Sequence, residues 1–391
     1  MSSIRGVNFA LRGAAVVGAL ALSGAVVAAC GSDAKGGSDE TPGAKTQVIE
    51  ITLSNKGCPS PQSEIPAGPT KFQVKNDGGT KVAEVELMQG DRILGEKENL
   101  AAGFSGSFTL NLKPGDYELY CPNADTERSP LKVTGSDAAS TGSEAEKAAI
   151  ANAVADYKAY VQGEAADLVT NTKALQAALD AGDVAKAKEL YAVARVNYER
   201  IEPVAESFGD LDPRIDGRAE DFDSPADFQG FHRIEMALWQ DNTTSGMPAI
   251  AATLVSDTEQ LQKLVADFEI DAAQIANGAT ELLNEVSNSK ISGEEERYSH
   301  LDILDMAANI EGSEKAFALL KPALAMENKN LADTLTQRFA DLDTAMEQYK
   351  SGDAYVLYTD LTQDQVRDLS RMVGALAEPL SQVAVGVVGK S

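Results

Sequence analysis

The sequence predicts two folded domains, an N-terminal β-sandwich and a C-terminal all-α helical bundle. The 391 residues are enough for two or three domains. Between residues 47 and 134, short runs of β-branched and aromatic residues are separated by Gly, Pro and Asn, which is typical of a sandwich. From residue 144 to 391, apolar residues recur every three or four positions and Pro is sparse, which indicates helices. Residues 30–46 and 135–143 are rich in Gly, Ser and other small or polar residues, so we predict a tether and a linker there.

Residues 1–29 are predicted to be the signal peptide of a lipoprotein. Arg5 and Arg12 accompany an apolar stretch, 14–27, that is too short for a membrane span. The string Val-Ala-Ala-Cys that ends at Cys30 resembles the lipobox of bacterial lipoproteins, in which the cysteine is lipidated. We therefore expect a palmitate-bearing anchor at Cys30 and a protein on the extracytoplasmic face of the cell membrane. The alternative is an ordinary secretory signal with an incidental cysteine.

The sandwich is expected to contain either a disulfide or a metal site. Cys58 and Cys121 are the two remaining cysteines, and in an exported protein such a pair favours a disulfide. A blue-copper site needs two histidines and a cysteine, and residues 47–134 contain no histidine. A metal ion on this domain would have to use the cysteines, Met88 or carboxylates such as Glu84 and Glu98. The strands are predicted at 48–53, 71–75, 83–87, 108–112, 117–121 and 131–133.

The helical part divides into about ten segments. Asp183 and Ser224 precede two of them and are plausible N-caps. The helices are predicted near 144–162, 164–180, 183–208, 225–240, 246–266, 270–287, 294–307, 312–327, 329–350 and 353–387.

The charge of the chain excludes one class of partner. Asp and Glu number 60 against 34 Lys and Arg, which gives a net charge of −26. Such a protein has nothing to neutralise phosphates, so we expect no nucleic acid partner. It does attract cations, although acidity that only confers solubility is the alternative.

Two pairs of residues have the spacing of metal ligands on helices. His232 and Glu235 are three residues apart, as are Glu199 and Glu202, so each pair shares one helix face. Helix bundles build iron and manganese sites from carboxylates and Glu/His pairs of this kind, and mixed oxygen and nitrogen ligands suit iron, manganese or zinc. Solvated helix faces are the alternative for each pair taken alone.

Two further segments are dense in carboxylates. Residues 211–221 contain several acidic side chains together with Arg214 and Arg218, and residues 294–296 are three glutamates that precede His300. Carboxylates placed together repel one another unless a positive charge offsets them. The two arginines could supply that charge, and so could a metal ion.

The helical part resembles the imelysin family, also classified as peptidase family M75. Its signature GxHxxE is matched by Gly230, His232 and Glu235, and residues 198–208, 211–218 and 294–302 are also similar. The sandwich resembles the cupredoxin-like domain of the EfeO family of iron-uptake lipoproteins, through residues 84–87, 96–100 and 114–121. The two domains together are specific to that family.

The resemblance implies a function, partners and a ligand set. It implies an extracytoplasmic protein that binds Fe²⁺ or Fe³⁺ and presents it to a membrane permease of the EfeU type, alongside a haem peroxidase of the EfeB type. A second metal ion on the sandwich is a further possibility. Asp216 and Glu295 enter the ligand set through the resemblance alone, and Glu296 or Glu220 could replace them. The implied ligands are Glu199, Glu202, Asp216, His232, Glu235 and Glu295.

Two other functions remain as alternatives. The family's classification suggests a peptidase, but the sequence has neither HExxH nor a GxSxG elbow, so we expect no enzyme. A lipoprotein that binds a non-metal solute or acts in adhesion is the other alternative, although the single Trp239 offers little stacking surface for sugars.

Overall fold

Two layers of β-sheet come first in the chain and a helical domain follows. The computed structural model describes residues 46–390 except 138, 139, 210, 223 and 353. The predicted signal peptide, Cys30 and all but the last residue of the tether lie outside the described residues. None of the helices in the described part is long and apolar enough to cross a membrane.

The sandwich is formed by a three-stranded and a five-stranded sheet. The first sheet has the order β1-β3-β6, in which β1 and β3 run parallel, and the second has the order β2-β8-β7-β4-β5. Alternate residues of the strands point into the shared core, as period-two patterns predict. The strands are β1 Gln47–Leu53, β2 Glu64–Pro66, β3 Gly68–Asn76, β4 Val85–Gln89, β5 Arg92–Lys97, β6 Ser105–Leu112, β7 Gly115–Tyr120 and β8 Arg128–Thr134.

The core of the sandwich contains a stacked aromatic pair and a disulfide. Phe72 and Phe108 stack across β3 and β6 with ring centroids 5.0 Å apart. Cys58 and Cys121 are both buried and form a disulfide with their Cα atoms 6.3 Å apart. Of the two alternatives for the cysteines, the structure therefore contains the disulfide, and the sulfur atoms bind each other.

Eleven helices are found in the described residues after the sandwich. A short hairpin, β9 Lys350–Ser351 and β10 Ala354–Tyr355, interrupts them. The helices are α1 Glu144–Asp180, α2 Val184–Glu199, α3 Glu202–Glu206, α4 Leu211–Asp216, α5 Gly230–Glu235, α6 Met247–Ala266, α7 Ala272–Asn288, α8 Asp302–Glu327, α9 Lys329–Met346, α10 Gln363–Leu380 and α11 Gln382–Val387.

Several predicted boundaries are wrong. Helix α1 continues through Gly163 without the expected break. A single glycine costs a helix about 1 kcal/mol relative to alanine, and the burial of the other residues of α1 outweighs that cost. Ser224 caps no helix, since α5 begins only at Gly230, whereas the N-cap at Asp183 is confirmed by its bond from the Lys186 amide. Residues 294–301 form turns and not the start of a helix.

The fold class is confirmed as a cupredoxin-like sandwich joined to an imelysin-like helical domain. The last sandwich strand ends at Thr134 and α1 begins at Glu144, so we propose residues 135–143 as the linker. The two domains touch through α7: Lys97 pairs with Glu281 at 2.8 Å, and the Asn277 amide donates to the Thr109 carbonyl at 2.8 Å.

Candidate metal centre

The predicted site residues come from five separated segments that meet inside the helical domain. Helix α2 ends at Glu199 and α3 begins at Glu202, so the prediction that these two glutamates share a face of one helix is wrong, because the chain leaves the helix at Ile201. Helix α4 ends at Asp216. Helix α5 carries both His232 and Glu235, and the turns before α8 carry Glu295. The side chains of all six residues are buried.

Gly230 places α5 directly on α4. Its φ is +76°, which L side chains rarely adopt, and a Cβ built on it would lie 2.3 Å from the Ile215 carbonyl oxygen. The glycine of the GxHxxE signature therefore allows the start of α5 to approach the end of α4. This approach brings His232 beside Asp216.

His232 is held on one side and faces carboxylates on the other. Its Nδ1 lies 3.2 Å from Oε2 of Glu235. Glu235 is itself fixed, because its Oε1 accepts hydrogen bonds from the Tyr298 and Ser299 amides, both at 2.7 Å. The Nε2 atom has no hydrogen-bond partner among the described residues. It lies 3.4 Å from Oδ1 of Asp216 and 3.5 Å from Oε1 of Glu295.

Two buried cations lie inside the carboxylate cluster, and sequence reasoning missed both. The Arg195 guanidinium is fully buried and contacts five carboxylates. It lies 3.0 Å from Asp305, 3.2 Å from Glu296 and 3.6 Å from Glu295. It also makes short contacts with Glu199 and Asp216. The four-residue spacing of Arg195 and Glu199 on α2 is a signal that could have found it.

Lys290 is the second buried cation. Its Nζ donates to Oε2 of Glu199 at 2.7 Å and to the two oxygens of Glu202 at 2.9 and 2.7 Å. The Asn309 amide donates to the same two glutamates at 2.9 and 3.0 Å. The sequence around Lys290 carries no periodic signal, because its partners are about 90 residues away.

The arginines expected to offset the acidic loop lie at its edge. Arg218 pairs with Oε2 of Glu295 at 3.2 Å, and Arg214 pairs with the buried Asp257 on α6. Neither arginine enters the centre. The side chain of Arg214 is 42% exposed and that of Arg218 is 34% exposed. The positive charge in the interior is therefore supplied by Arg195 and Lys290.

Negative charge exceeds positive charge in this interior. Seven buried carboxylates contact Arg195, Lys290 or His232; they are Glu199, Glu202, Asp216, Glu235, Glu295, Glu296 and Asp305. Such an excess is unfavourable unless carboxylates are protonated or a further cation is present.

The buried carboxylates differ in the direction of their pKa shifts, which is upward for Glu202 and Glu296 and downward for Glu295. Burial and the neighbouring Glu199 raise the pKa of Glu202 well above its usual value, and burial with Glu235 does the same for the pKa of Glu296. Burial also opposes ionisation of Glu295, but Lys290 and His232 outweigh it and hold the pKa of Glu295 well below its usual value. The cations around Glu295 therefore favour its ionised form.

The pKa of His232 is raised. Burial favours the neutral ring, but Asp216, Glu235 and Glu295 outweigh burial and raise the pKa well above the usual value. The surrounding carboxylates thus favour the protonated ring. A metal ion on Nε2 would replace that proton.

The structure brings the predicted ligands together in three overlapping groups. Ligand atoms of Asp216, His232 and Glu295 lie within 4.8 Å of one another. Atoms of Glu199, Glu202, Asp216 and Glu295 do the same, and these two groups share Asp216 and Glu295. The third group joins His232 and Glu235 to Glu296.

The alternatives to Glu295 and Asp216 also make other contacts, and Glu296 stays within 4.8 Å of ligand atoms of His232 and Glu235. Glu296 accepts a hydrogen bond from the Tyr191 hydroxyl at 2.8 Å and one from Ser299. Glu220 is half exposed and pairs with Arg297 at 2.6 Å. His300 belongs to none of the ligand groups found among the described residues.

An open cavity of about 240 Å³ borders the centre. Seven of its ten lining residues are carboxylates, including Glu202, Asp216, Glu285 and Glu295, and Arg218 lies at its side. Such walls concentrate cations near the buried ligands.

A separate acidic group lies on the sandwich. Oxygens of Glu84, Glu86 and Glu96 lie within 4.8 Å of one another. Burial raises the pKa of Glu84 to about 8, assisted by Glu86. Burial, together with Glu84, also raises the pKa of Glu98 to about 8, but Glu98 is not part of the three-oxygen group.

Comparison with known proteins assigns the family. The imelysin family model matches residues 153–383, and a cupredoxin-like domain model matches residues 20–128. The iron uptake system component EfeO of Escherichia coli strain K12 is 40% identical over 344 residues, which cover 87% of this chain and 91% of that protein. The chain belongs to the EfeO group of the imelysin family. EfeO of Shigella flexneri matches with the same identity and coverage.

Membership of the EfeO group confirms the resemblance seen in the sequence. In this chain the glycine of the GxHxxE signature is Gly230, which lies against the Ile215 carbonyl of α4. The histidine and the glutamate of the signature are the His232–Glu235 pair. A solved structure from Parabacteroides distasonis, described as an iron-regulated protein A precursor, aligns with a TM-score of 0.49 at 16% identity over 63% of this chain and 97% of that chain.

Proposed function

We propose that this chain is an iron-binding component of an uptake system and that the centre around His232 holds the iron. One observation carries the proposal: the unpartnered, buried Nε2 of His232 faces oxygens of Asp216 and Glu295 at 3.4 and 3.5 Å. One nitrogen with two carboxylates is a ligand set that suits iron. The EfeO relatives, which are named as iron uptake system components, support the choice of iron.

Within this proposal the predicted ligands have different roles. Asp216, His232 and Glu295 bind the ion directly. Glu235 holds Nδ1 of the histidine, since its other oxygen already accepts two backbone amides, and this orients Nε2 toward the ion. Glu199 and Glu202 lie behind the ion, where Lys290 neutralises them.

The acidic cavity suggests how iron is captured and passed on. Carboxylate walls attract the cation, and binding displaces the proton of His232. We propose that the loaded protein, anchored through Cys30 outside the cytoplasm, presents iron to a membrane permease of the EfeU type, with a haem peroxidase of the EfeB type as a second partner. Glu84 and Glu98 remain our candidates for a second metal ion on the sandwich.

Binding fits the centre better than catalysis. A zinc peptidase of the HExxH type needs two histidines one turn apart, and the centre has a single histidine whose neighbour three residues on is Glu235. We propose that the chain is not an enzyme. Casein incubated with the protein, with and without chelator, should stay intact.

The deciding experiment is an iron titration of the purified chain with a matched histidine control. Wild-type protein should bind Fe²⁺ under anaerobic conditions, or Fe³⁺ supplied as a citrate complex, and His232→Ala should lose this binding while keeping its helical circular dichroism. His300→Asn is the control, because His300 is half-buried, has φ of +61° that Asn tolerates, and should leave binding unchanged. Equal behaviour of the two variants, or no binding by the wild type, refutes the proposal and favours a non-metal solute-binding or adhesion protein.

The anchor is tested separately. Mass spectrometry of the protein extracted from its native membrane should find a diacylglyceryl adduct on Cys30. A mature chain that begins at another residue contradicts the anchor and leaves the iron site unaffected.

A further inference from the structure

Lys290 occupies a position that resembles a cation site. The residue is fully buried, and its ammonium group donates to three oxygens of Glu199 and Glu202 between 2.7 and 2.9 Å. An ammonium group has three protons and no acceptor, so these contacts satisfy it completely. The ammonium therefore sits among carboxylate oxygens as a bound metal ion would.

The carboxylates around this ammonium are arranged closely enough to bind a metal ion. Glu199, Glu202, Asp216 and Glu295 each offer an oxygen, and these four oxygens lie within 4.8 Å of one another. Two of the four residues, Asp216 and Glu295, also belong to the group of His232. The centre thus contains two adjacent cation positions that share two carboxylates, and the lysine fills one of them.

Lys290 differs from Arg195 in how its charge is held. The arginine spreads a rigid, planar group over five carboxylates. The lysine carries a compact charge on a flexible stem. A further acceptor is close, since Oε1 of Glu285 lies 3.7 Å from Nζ and its side chain is 20% exposed at the acidic cavity.

We infer that Lys290 fills the second cation position and so limits the centre to one metal ion. The inference rests on the proposed function, which places the first ion at His232. Without the ammonium, Glu199 and Glu202 together with Asp216 and Glu295 take a second divalent ion of the iron or manganese class. Lys290 is therefore the residue that determines the metal stoichiometry of the centre.

The test compares the full purified chain with its Lys290→Gln variant, with Mn²⁺ as the probe. Bound metal is measured by equilibrium dialysis and elemental analysis, and paramagnetic resonance reports whether two ions are close. The variant should bind one Mn²⁺ per chain more than the wild type, with the signal of an exchange-coupled pair. Lys290→Arg, which keeps a cation, should bind as the wild type does. Lys329→Gln should do so too, because that side chain is 74% exposed.

The remaining outcomes also support or overturn the inference about Lys290. Equal amounts of Mn²⁺ in wild type and Lys290→Gln overturn the inference. If the variant unfolds without metal, it is refolded with Mn²⁺: recovery with the extra ion supports the inference, and failure to recover overturns it, because a metal cation should replace the ammonium. If the wild type binds no Mn²⁺ and the variant binds one, the role of Lys290 stands and the proposed site at His232 fails.

Discussion

Replacement of Arg195 by Met is expected to be among the most destabilising single changes in the helical domain. The methionine keeps an unbranched side chain with a similar helix propensity, but it is shorter and removes a charge that contacts five buried carboxylates. Removal of one partner from a buried ion pair leaves an uncompensated charge and costs about 3–5 kcal/mol. For a domain of this size, about 2–4 °C per kcal/mol gives a fall in Tm of roughly 6–20 °C.

The loss of stability should depend on pH. Burial raises the pKa of Asp216, and it raises the pKa of Asp305 and Glu296 well above the usual value, while Arg195 opposes each of these shifts. Without the arginine these pKa values rise further. A carboxyl group with a raised pKa in the folded state contributes stability while it is protonated and loses that contribution as pH rises. The variant should therefore be closer to the wild type at pH 5 than at pH 8.

Urea unfolding followed by circular dichroism at pH 5 and pH 8 provides the measurement. Arg371→Met is the matched control, because that side chain is 77% exposed and pairs only with Asp368 one turn away, so it should lose less than about 0.5 kcal/mol at either pH. Arg195→Lys should lie between the two, since a compact ammonium cannot reach all five carboxylates. The reasoning is refuted if Arg195→Met loses under about 1 kcal/mol at pH 8, or if its loss is the same at both pH values.

Three further predictions concern the centre and the sandwich. Gly230→Ala should lower the free energy of unfolding by more than about 1 kcal/mol and weaken iron binding, because a Cβ meets the Ile215 carbonyl at 2.3 Å; a variant with wild-type stability and binding would contradict the role of the glycine. Iron binding near pH 7 should release a proton from His232, whose pKa is raised, so affinity should fall as pH decreases; calorimetry in buffers of different ionisation enthalpy measures the proton, and equal heats in all buffers would disprove the release. Cys58→Ser with Cys121→Ser should destabilise the sandwich by about 4 kcal/mol on the chain-entropy model, since the disulfide joins residues 63 positions apart; an unchanged urea midpoint of the sandwich would exclude that contribution.

The sequence by itself was sufficient for the fold class and for the pair of His232 and Glu235, but not for Glu199 and Glu202, which lie on different helices. Period-two and period-3.6 patterns are local properties, so the sandwich and the helices could be predicted from neighbouring residues. The same holds for His232 with Glu235, which share a face of α5 because they are three residues apart. The preference for cations that the excess of acidic residues suggests stays a prediction.

Only the tertiary structure decided how the centre is balanced. Lys290 meets Glu199 and Glu202 because the turn after α7 packs against α2 and α3, and no local pattern encodes a contact between residues about 90 positions apart. The positions of Glu295 and Glu296 likewise depend on the turn before α8, which places an oxygen of Glu295 3.5 Å from Nε2 of His232 and directs Glu296 toward the Tyr191 hydroxyl. The raised pKa values follow from burial and from the neighbouring charges, and both are consequences of packing.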